Sequence, residues 1–160
     1  MLLALDGAVT LVSASGRRDV AAADLFVGAN RTAMRPDELA VDVRLPVGHL
    51  RTTFLESSRR HNDLPLAGVA ASIHLDDEGV VTSLRLAVGS AAGPRRMVTT
   101  EPTLVGARPD AEWCAAGASA VELELATGTA DPPDGASRHT HHVAGVLVRR
   151  ALTTLTTGAG

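Results

Sequence analysis

Apolar and polar positions alternate most clearly between Val69 and Val88. Val69, Ala71, Ile73 and Leu75 share one face, Asp77-Glu78-Gly79 supplies a turn, and Thr82, Leu84, Leu86 and Val88 return along the same face. The opposite face carries Ser72, His74, Ser83 and Arg85. This spacing predicts a β-hairpin. Upstream, Val9 and Leu11 mark a strand over Ala8 to Ser13 that ends in a turn at Ser15-Gly16, and Asp19 to Phe26 reads as a short helical turn. After the turn residues Arg35-Pro36-Asp37-Glu38, the positions Leu39, Val41, Val43 and Leu45 alternate with Ala40, Asp42 and Arg44 until Pro46 ends the run. A further strand is expected there.

Beyond Gly93-Pro94 the period changes from two to that of a helix. Thr99 or Thr100 is placed to cap a short helix with Glu101 and Pro102 in its first turn and Gly106 as its stop. Asp110 can cap a longer helix through Trp113, Ala116, Ala120 and Leu123, which Asp131-Pro132-Pro133-Asp134-Gly135 breaks. From Ser137, another candidate cap, Ala144, Leu147, Val148, Ala151, Leu152 and Leu155 fall on one stripe of a last helix, with Thr156 to Gly160 fraying beyond it. Strands followed by a run of helices predict an α+β fold, an antiparallel sheet with one face covered by helices.

Composition narrows the classes of function. Aromatic residues make up only 2% of the 160-residue chain, so the core is built from Ala, Val and Leu, and a base-stacking surface is not expected. All 15 basic residues are Arg, but the net charge is -3, which argues against a nucleic-acid partner. Cys114 is the single cysteine, which excludes a disulfide framework or an all-cysteine cluster within the chain. The apolar start, Met1 to Leu5, is interrupted by Asp6 and Gly7, well short of the roughly 20 apolar residues of a membrane span. A soluble cytoplasmic protein with no membrane partner is the expectation.

Four ordered segments carry a resemblance to a known family: Leu2 to Pro46, Phe54 to Ala71 (FLESSRRHNDLPLAGVAA), Ala87 to Gly106 (AVGSAAGPRRMVTTEPTLVG) and Arg138 to Leu152 (RHTHHVAGVLVRRAL). In them the chain resembles the medium, FAD-carrying subunit of the xanthine dehydrogenase and carbon monoxide dehydrogenase family, the molybdenum hydroxylases. Gly89, Pro94, Arg96, Glu101, Leu104 and Gly106 fall on family positions, whereas Leu55 and Glu56 replace the usual Lys after Phe and His139-Thr140 replaces the usual Tyr-Arg. The resemblance implies a C-terminal domain with a small antiparallel sheet of three to four strands followed by three helices. It divides the chain into 1–46, the end of the FAD-binding region and a connecting N-terminal arm, 47–156, the C-terminal domain, and 157–160, a frayed tail. The glycine-rich loops that hold the FAD pyrophosphate in the family are expected to precede Leu2. The chain alone is therefore expected to hold no FAD and to be inert.

The site residues implied by the resemblance are Arg59, Arg60 and Asp63, in the loop Arg59-Arg60-His61-Asn62-Asp63 that resembles a flavin-facing loop of the family. There an Arg could offset negative charge on the flavin. The other reading of this loop is a solvated charged connection before a strand. Gly89 to Arg96 combines glycines with cations, but without the spacing of a phosphate loop it reads as a chain turn. His139, His141 and His142 lie at helical spacing, yet with no Cys or carboxylate partner at a set distance no metal site is assigned. Asp63 with His61, or Asp134 with His139, would be acid–base pairs only if they came within hydrogen-bond reach. As a whole, the resemblance implies part of a flavin subunit, or a split form of it. Such a part would support electron transfer between iron–sulfur clusters, FAD and an external acceptor. The implied partners are molybdopterin and iron–sulfur subunits or a separate FAD-binding fragment, with a homo-oligomer left open. The alternative is a stand-alone domain without FAD, serving as a binding or assembly module or as a small enzyme of new activity.

Overall fold

The computed structural model describes residues 1–46, 48, 50–60, 63–127 and 135–157, the side chains of 135 and 136 excepted. Its centre is the predicted hairpin. Strands β7 (Ala67–Leu75) and β8 (Val81–Ser90) pair antiparallel with Val69 opposite Val88, Ala71 opposite Leu86 and Ile73 opposite Leu84. All six of these side chains are buried on one face, as the alternation requires. A bulge between His74 and Leu75 pairs Leu75 with Val81, so Val81 enters the core and Thr82 is exposed. That corrects the assignment of Thr82 to the apolar face, because a one-residue shift exchanges the two faces.

Two strands that the alternation did not mark complete this sheet, in the order β6-β7-β8-β9, with β6 at Arg51–Ser57 and β9 at Gly93–Arg96. Gly93 was expected only to turn the chain. With φ of 98° it closes the tight connection from Ser90 and also starts the strand.

Three helices follow. α1 belongs to the N-terminal part (Ala22–Leu25), and α2 (Glu101–Leu104), α3 (Ala111–Thr127) and α4 (Gly135–Thr157) succeed the sheet. α3 is capped as expected, the Trp113 amide donating to Asp110 Oδ1 at 2.7 Å. The whole predicted stripe of α4, from Ala144 to Leu155, is buried against the sheet.

Other helix details differ. α4 already begins at Gly135, so Ser137 lies inside it and is no cap, and Thr156 and Thr157 are helical rather than frayed. Thr100 stands at the cap position of α2, but its hydroxyl donates to Glu124. α3 buries Trp113, Cys114, Gly117, Ala118, Val121 and Glu124, while Ala116 and Leu123 face out. The middle of the inward face is made of small residues, Cys114, Gly117 and Ala118, so hydrophobicity alone found Trp113 but then picked positions rotated away from that face. Residues 128–134, which hold most of the predicted break, and 158–160 lie outside the described residues.

The N-terminal arm is a structure in its own right. β1 (Ala8–Ser13), β2 (Gly16–Ala21) and β5 (Leu39–Arg44) form an antiparallel sheet in the order β2-β1-β5, with a ribbon of β3 (Phe26–Gly28) and β4 (Arg31–Thr32) between. The helical turn expected from Asp19 is thus shorter, since Asp19 to Ala21 stay in β2. Leu3, Ala4 and Ala22 pack on Ala70 and Ala87, on the face of the four-stranded sheet opposite the helices. Where the arm packs, that face carries the small side chains of Ala70, Ser72 and Ala87, while Phe54 and Arg85 stand on the same face beside them. Ser72 Oγ donates to the Ala4 carbonyl at 2.6 Å. No helix among the described residues is long and apolar enough to cross a membrane.

Candidate flavin-facing loop and the seam beside it

The loop after β6 sets out two cations. Arg59 and Arg60 are exposed, and no described hydrogen bond or ion pair engages either guanidinium. The loop is shaped by its backbone. The Leu66 amide donates to the Ser57 carbonyl at 2.7 Å, closing its base, and the Asp63 amide donates to the Arg60 carbonyl at 3.2 Å. Asp63 Oδ1 accepts from the amide of Leu64 at 2.9 Å, so this carboxylate supports the turn and does not pair with either Arg. His61 and Asn62 lie outside the described residues, and with them the pair proposed for Asp63 and His61.

The glycine-rich stretch has a structural task. A Cβ on Gly93 would stand 3.0 Å from the Gly28 carbonyl oxygen and 3.3 Å from the Ala29 amide nitrogen, so Gly93 lets the β8–β9 hairpin touch the β3 ribbon. Its cations are occupied. Arg96 grips Glu101 through Nε and Nη2 at 2.8 and 2.9 Å and also pairs with Asp6, and Arg95 donates to the Glu124 carbonyl at 3.3 Å. The turn reading fits this geometry, and the cations that would bind phosphate are committed elsewhere.

Arg96 belongs to a network that sequence reasoning missed. Asp6, held at φ 48°, accepts from Arg85 Nε at 2.8 Å and from Arg96. Glu101, buried behind them, also accepts the Leu86 amide at 2.9 Å. The paired carboxylates raise the pKa of Arg96 further, its hydrogen bond with Glu101 being the main cause. These four side chains tie the N-terminal arm to β8, β9 and the start of α2. Sequence reading places Glu101 in the first turn of a helix and on a family position, with no sign of its ion pair. Asp6, 79 residues before Arg85, offered no local signal. Nor did Glu124, whose buried carboxylate accepts the Thr100 amide and hydroxyl at 2.8 Å each.

The histidines do not converge. His139 and His142 are exposed, His142 Nδ1 standing 3.5 Å from Glu122 Oε1, while His141 lines a cleft of about 170 Å³ with Ser90, Arg95 and Thr140. Among the described residues no group of three or more His, Cys, Asp or Glu side chains could hold a metal ion. Asp134, the suggested partner of His139, is outside them.

For FAD, the fit of these residues is partial. The exposed guanidinium groups of Arg59 and Arg60, with no described partner, suit an anionic or electron-rich edge, but in the glycine-rich stretch Gly93 serves packing and Arg95 and Arg96 are engaged. The described residues can therefore offer one wall of a flavin site rather than its phosphate cradle.

Comparison with known proteins matches two family models in succession. Residues 1–48 match the FAD binding domain in molybdopterin dehydrogenase, and residues 52–155 match the CO dehydrogenase flavoprotein C-terminal domain. The chain is 33% identical to the nicotine 6-hydroxylase medium subunit of Paenarthrobacter nicotinovorans, over 95% of its own length and 53% of that subunit. It is 30% identical to the glyceraldehyde dehydrogenase medium chain of Sulfolobus acidocaldarius, over 95% of its length and 54% of that protein. It thus spans about half the length of the curated relatives it matches. Among solved structures, reconstituted CO dehydrogenase from Oligotropha carboxidovorans superposes with a TM-score of 0.85 at 26% identity, over 99% of this chain and 55% of that one. Quinoline 2-oxidoreductase from Pseudomonas putida 86 gives 0.82 at 25%, again over 99% and 55%.

Proposed function

The chain belongs to the CO dehydrogenase flavoprotein C-terminal domain family, and from that premise we propose that it forms part of the flavin subunit of a cytoplasmic molybdenum hydroxylase. In that role it supports electron transfer between iron–sulfur clusters, FAD and an external acceptor, with molybdopterin and iron–sulfur subunits as partners. The observation that carries this reading is the succession of two family matches on one packed unit. The stretch matching the FAD-binding region and the one matching the C-terminal domain are held together by Asp6, Arg85, Arg96 and the Ser72 hydroxyl.

When bound, FAD supplies the redox chemistry, and the chain contributes position and charge. In this reading Arg59 and Arg60 face the flavin and offset negative charge, and the exposure of both guanidinium groups and the turn held by Asp63 support it. The seam at Asp6 and Arg96 keeps the sheet bearing this loop in a set orientation to the arm.

The test is purification of the tagged chain from its natural host, followed by mass spectrometry of what accompanies it and a visible spectrum. Molybdopterin and iron–sulfur subunits with a flavin band are expected. Recovery of the chain alone, free of flavin and molybdenum, would refute the proposal.

A further inference from the structure

β5 and β6 are both end strands of their sheets, and they differ in what stands beside them. Along β5, Leu39, Val41 and Val43 stay exposed, with Leu39 and Val43 on opposite faces because the register shifts between Thr10 and Leu11. Beside β6 runs α4, and here the surface carries a charge pattern. Val146, Arg149, Arg150 and Thr153 follow helical spacing on the outer side of α4. With Thr154 and with Leu55 of β6 they line an open groove of about 590 Å³. No carboxylate lines it. Arg149 and Arg150 are exposed, and no described hydrogen bond or ion pair engages either guanidinium. Arg51 of β6 adds a third cation next to α4, its Nη1 donating to the Leu155 carbonyl at 3.3 Å. In a chain of net charge -3 this local balance is reversed.

The groups on offer select the occupant. The guanidinium groups donate hydrogen bonds and suit carboxylates. The Thr153 and Thr154 hydroxyls already donate to the Arg149 and Arg150 carbonyls at 2.9 Å each, so toward the groove they can only accept. The open edge of β6 offers backbone amides and carbonyls along a strand of seven residues. A small inorganic anion would use the cations alone, whereas an extended peptide bearing carboxylates uses all three. On the other face of β6, Phe54 is 52% exposed and Glu56 stands on the same side, so an added strand meets apolar surface there and a second carboxylate on that side would be repelled. We propose that the β6 edge and this groove bind an extended acidic segment of a partner protein, in which Glu alternates with apolar residues, as an additional strand of the sheet. The Glu carboxylates reach Arg149 and Arg150 with their methylenes over Leu55 and Val146, and the apolar residues lie beside Phe54. This surface is independent of the flavin reading.

The probe is a fluorescein-labelled peptide of alternating Glu and Val, about seven residues long to match β6, with its Gln–Val counterpart as control. Both are titrated into the purified chain by fluorescence anisotropy at low salt, and amide hydrogen exchange is read with and without the Glu–Val peptide. The Glu–Val peptide should bind roughly tenfold more tightly than the control, the difference expected from two partly exposed ion pairs, and lose that advantage as salt rises. The double variant Arg149→Gln with Arg150→Gln should abolish the difference and melt with the parent, because both side chains are exposed. On saturation, the amides of residues 51–57 should exchange several-fold more slowly. Equal affinity for the two peptides, a double variant that still prefers Glu–Val, or no binding below about 1 mM overturns the proposal. So does binding that leaves exchange in β6 unchanged, since the peptide then sits elsewhere. The exchange readout is taken on the parent chain and decides the matter even if the variant melts lower.

Discussion

Two glycines on facing helices should respond to the same substitution with opposite signs. Gly117 on α3 and Gly145 on α4 are both buried in the helix pair, and replacing either with Ala removes the backbone entropy cost of a helical glycine, a gain of about 1 kcal/mol. What the new methyl group meets decides the outcome. At Gly117 it would stand 2.7 Å from Leu152 Cδ1 and 3.0 Å from Leu104 Cδ1, and both leucines are buried in the main core, where neighbours pack closely. Overpacking of this kind costs roughly 1–3 kcal/mol. At Gly145 the three nearest atoms the methyl would meet, Oε1, Cγ and Cδ, all belong to the Glu122 side chain. That side chain is 38% exposed and can turn into solvent, giving up a contact with His142 worth about 0–1 kcal/mol.

Gly117→Ala is therefore expected to destabilise by about 1 kcal/mol and Gly145→Ala to stabilise by about 0.5 kcal/mol. For a domain of this size, that separates their melting temperatures by roughly 3–6 °C. Thermal unfolding followed by circular dichroism, with urea titration as a second measure, reads the difference. If Gly117→Ala melts at or above the parent, the close packing of α3 on Leu104 and Leu152 is refuted.

Two further outcomes follow from burial and charge. Leu147→Asp places a carboxylate at a position only 4% exposed. The lost packing and the buried charge together amount to several kcal/mol, a large part of a typical domain's stability; no cooperative melt is expected, whereas Leu123→Asp, at 66% exposure, should shift the transition by at most about 2 °C. Glu38 is held down to a pKa of about 2 by hydrogen bonds from the Arg18 guanidinium and the Arg35 amide. Its folded pKa is depressed, so its stabilisation is complete above the ordinary value of 4.5 and lost as pH falls from there through about 2. The advantage of the parent over Glu38→Gln in melting temperature should shrink across that window, and a gap independent of pH would contradict the assignment.

What the sequence determined by itself was whatever a local period or a family motif can encode. The β7–β8 alternation, the stripe from Ala144 to Leu155 and the Asp110 cap each depend on residues a few positions apart, and the four resemblant segments lie within the stretches that the family models match. The candidate loop could be named, but of its residues only Asp63 has an observed role, in the turn itself.

The tertiary structure decided everything that needed a second, distant partner. Bulges at Leu75 and opposite Leu11 exchanged faces that strict alternation had assigned, moving Thr82 out and separating Leu39 from Val43. The buried face of α3 could be read only at Trp113, because its middle is held by Gly117 and Ala118, and the close approach of Leu104 and Leu152 at Gly117 depends on the missing side chain. Asp6 acquired meaning only when folding brought it to Arg85 and Arg96, and Gly93 only when the β3 backbone came against it. The apolar run on β5 was legible as hydrophobic from the start. That it stays uncovered is a fact of tertiary structure, because burial depends on which other parts of the fold are there to meet it.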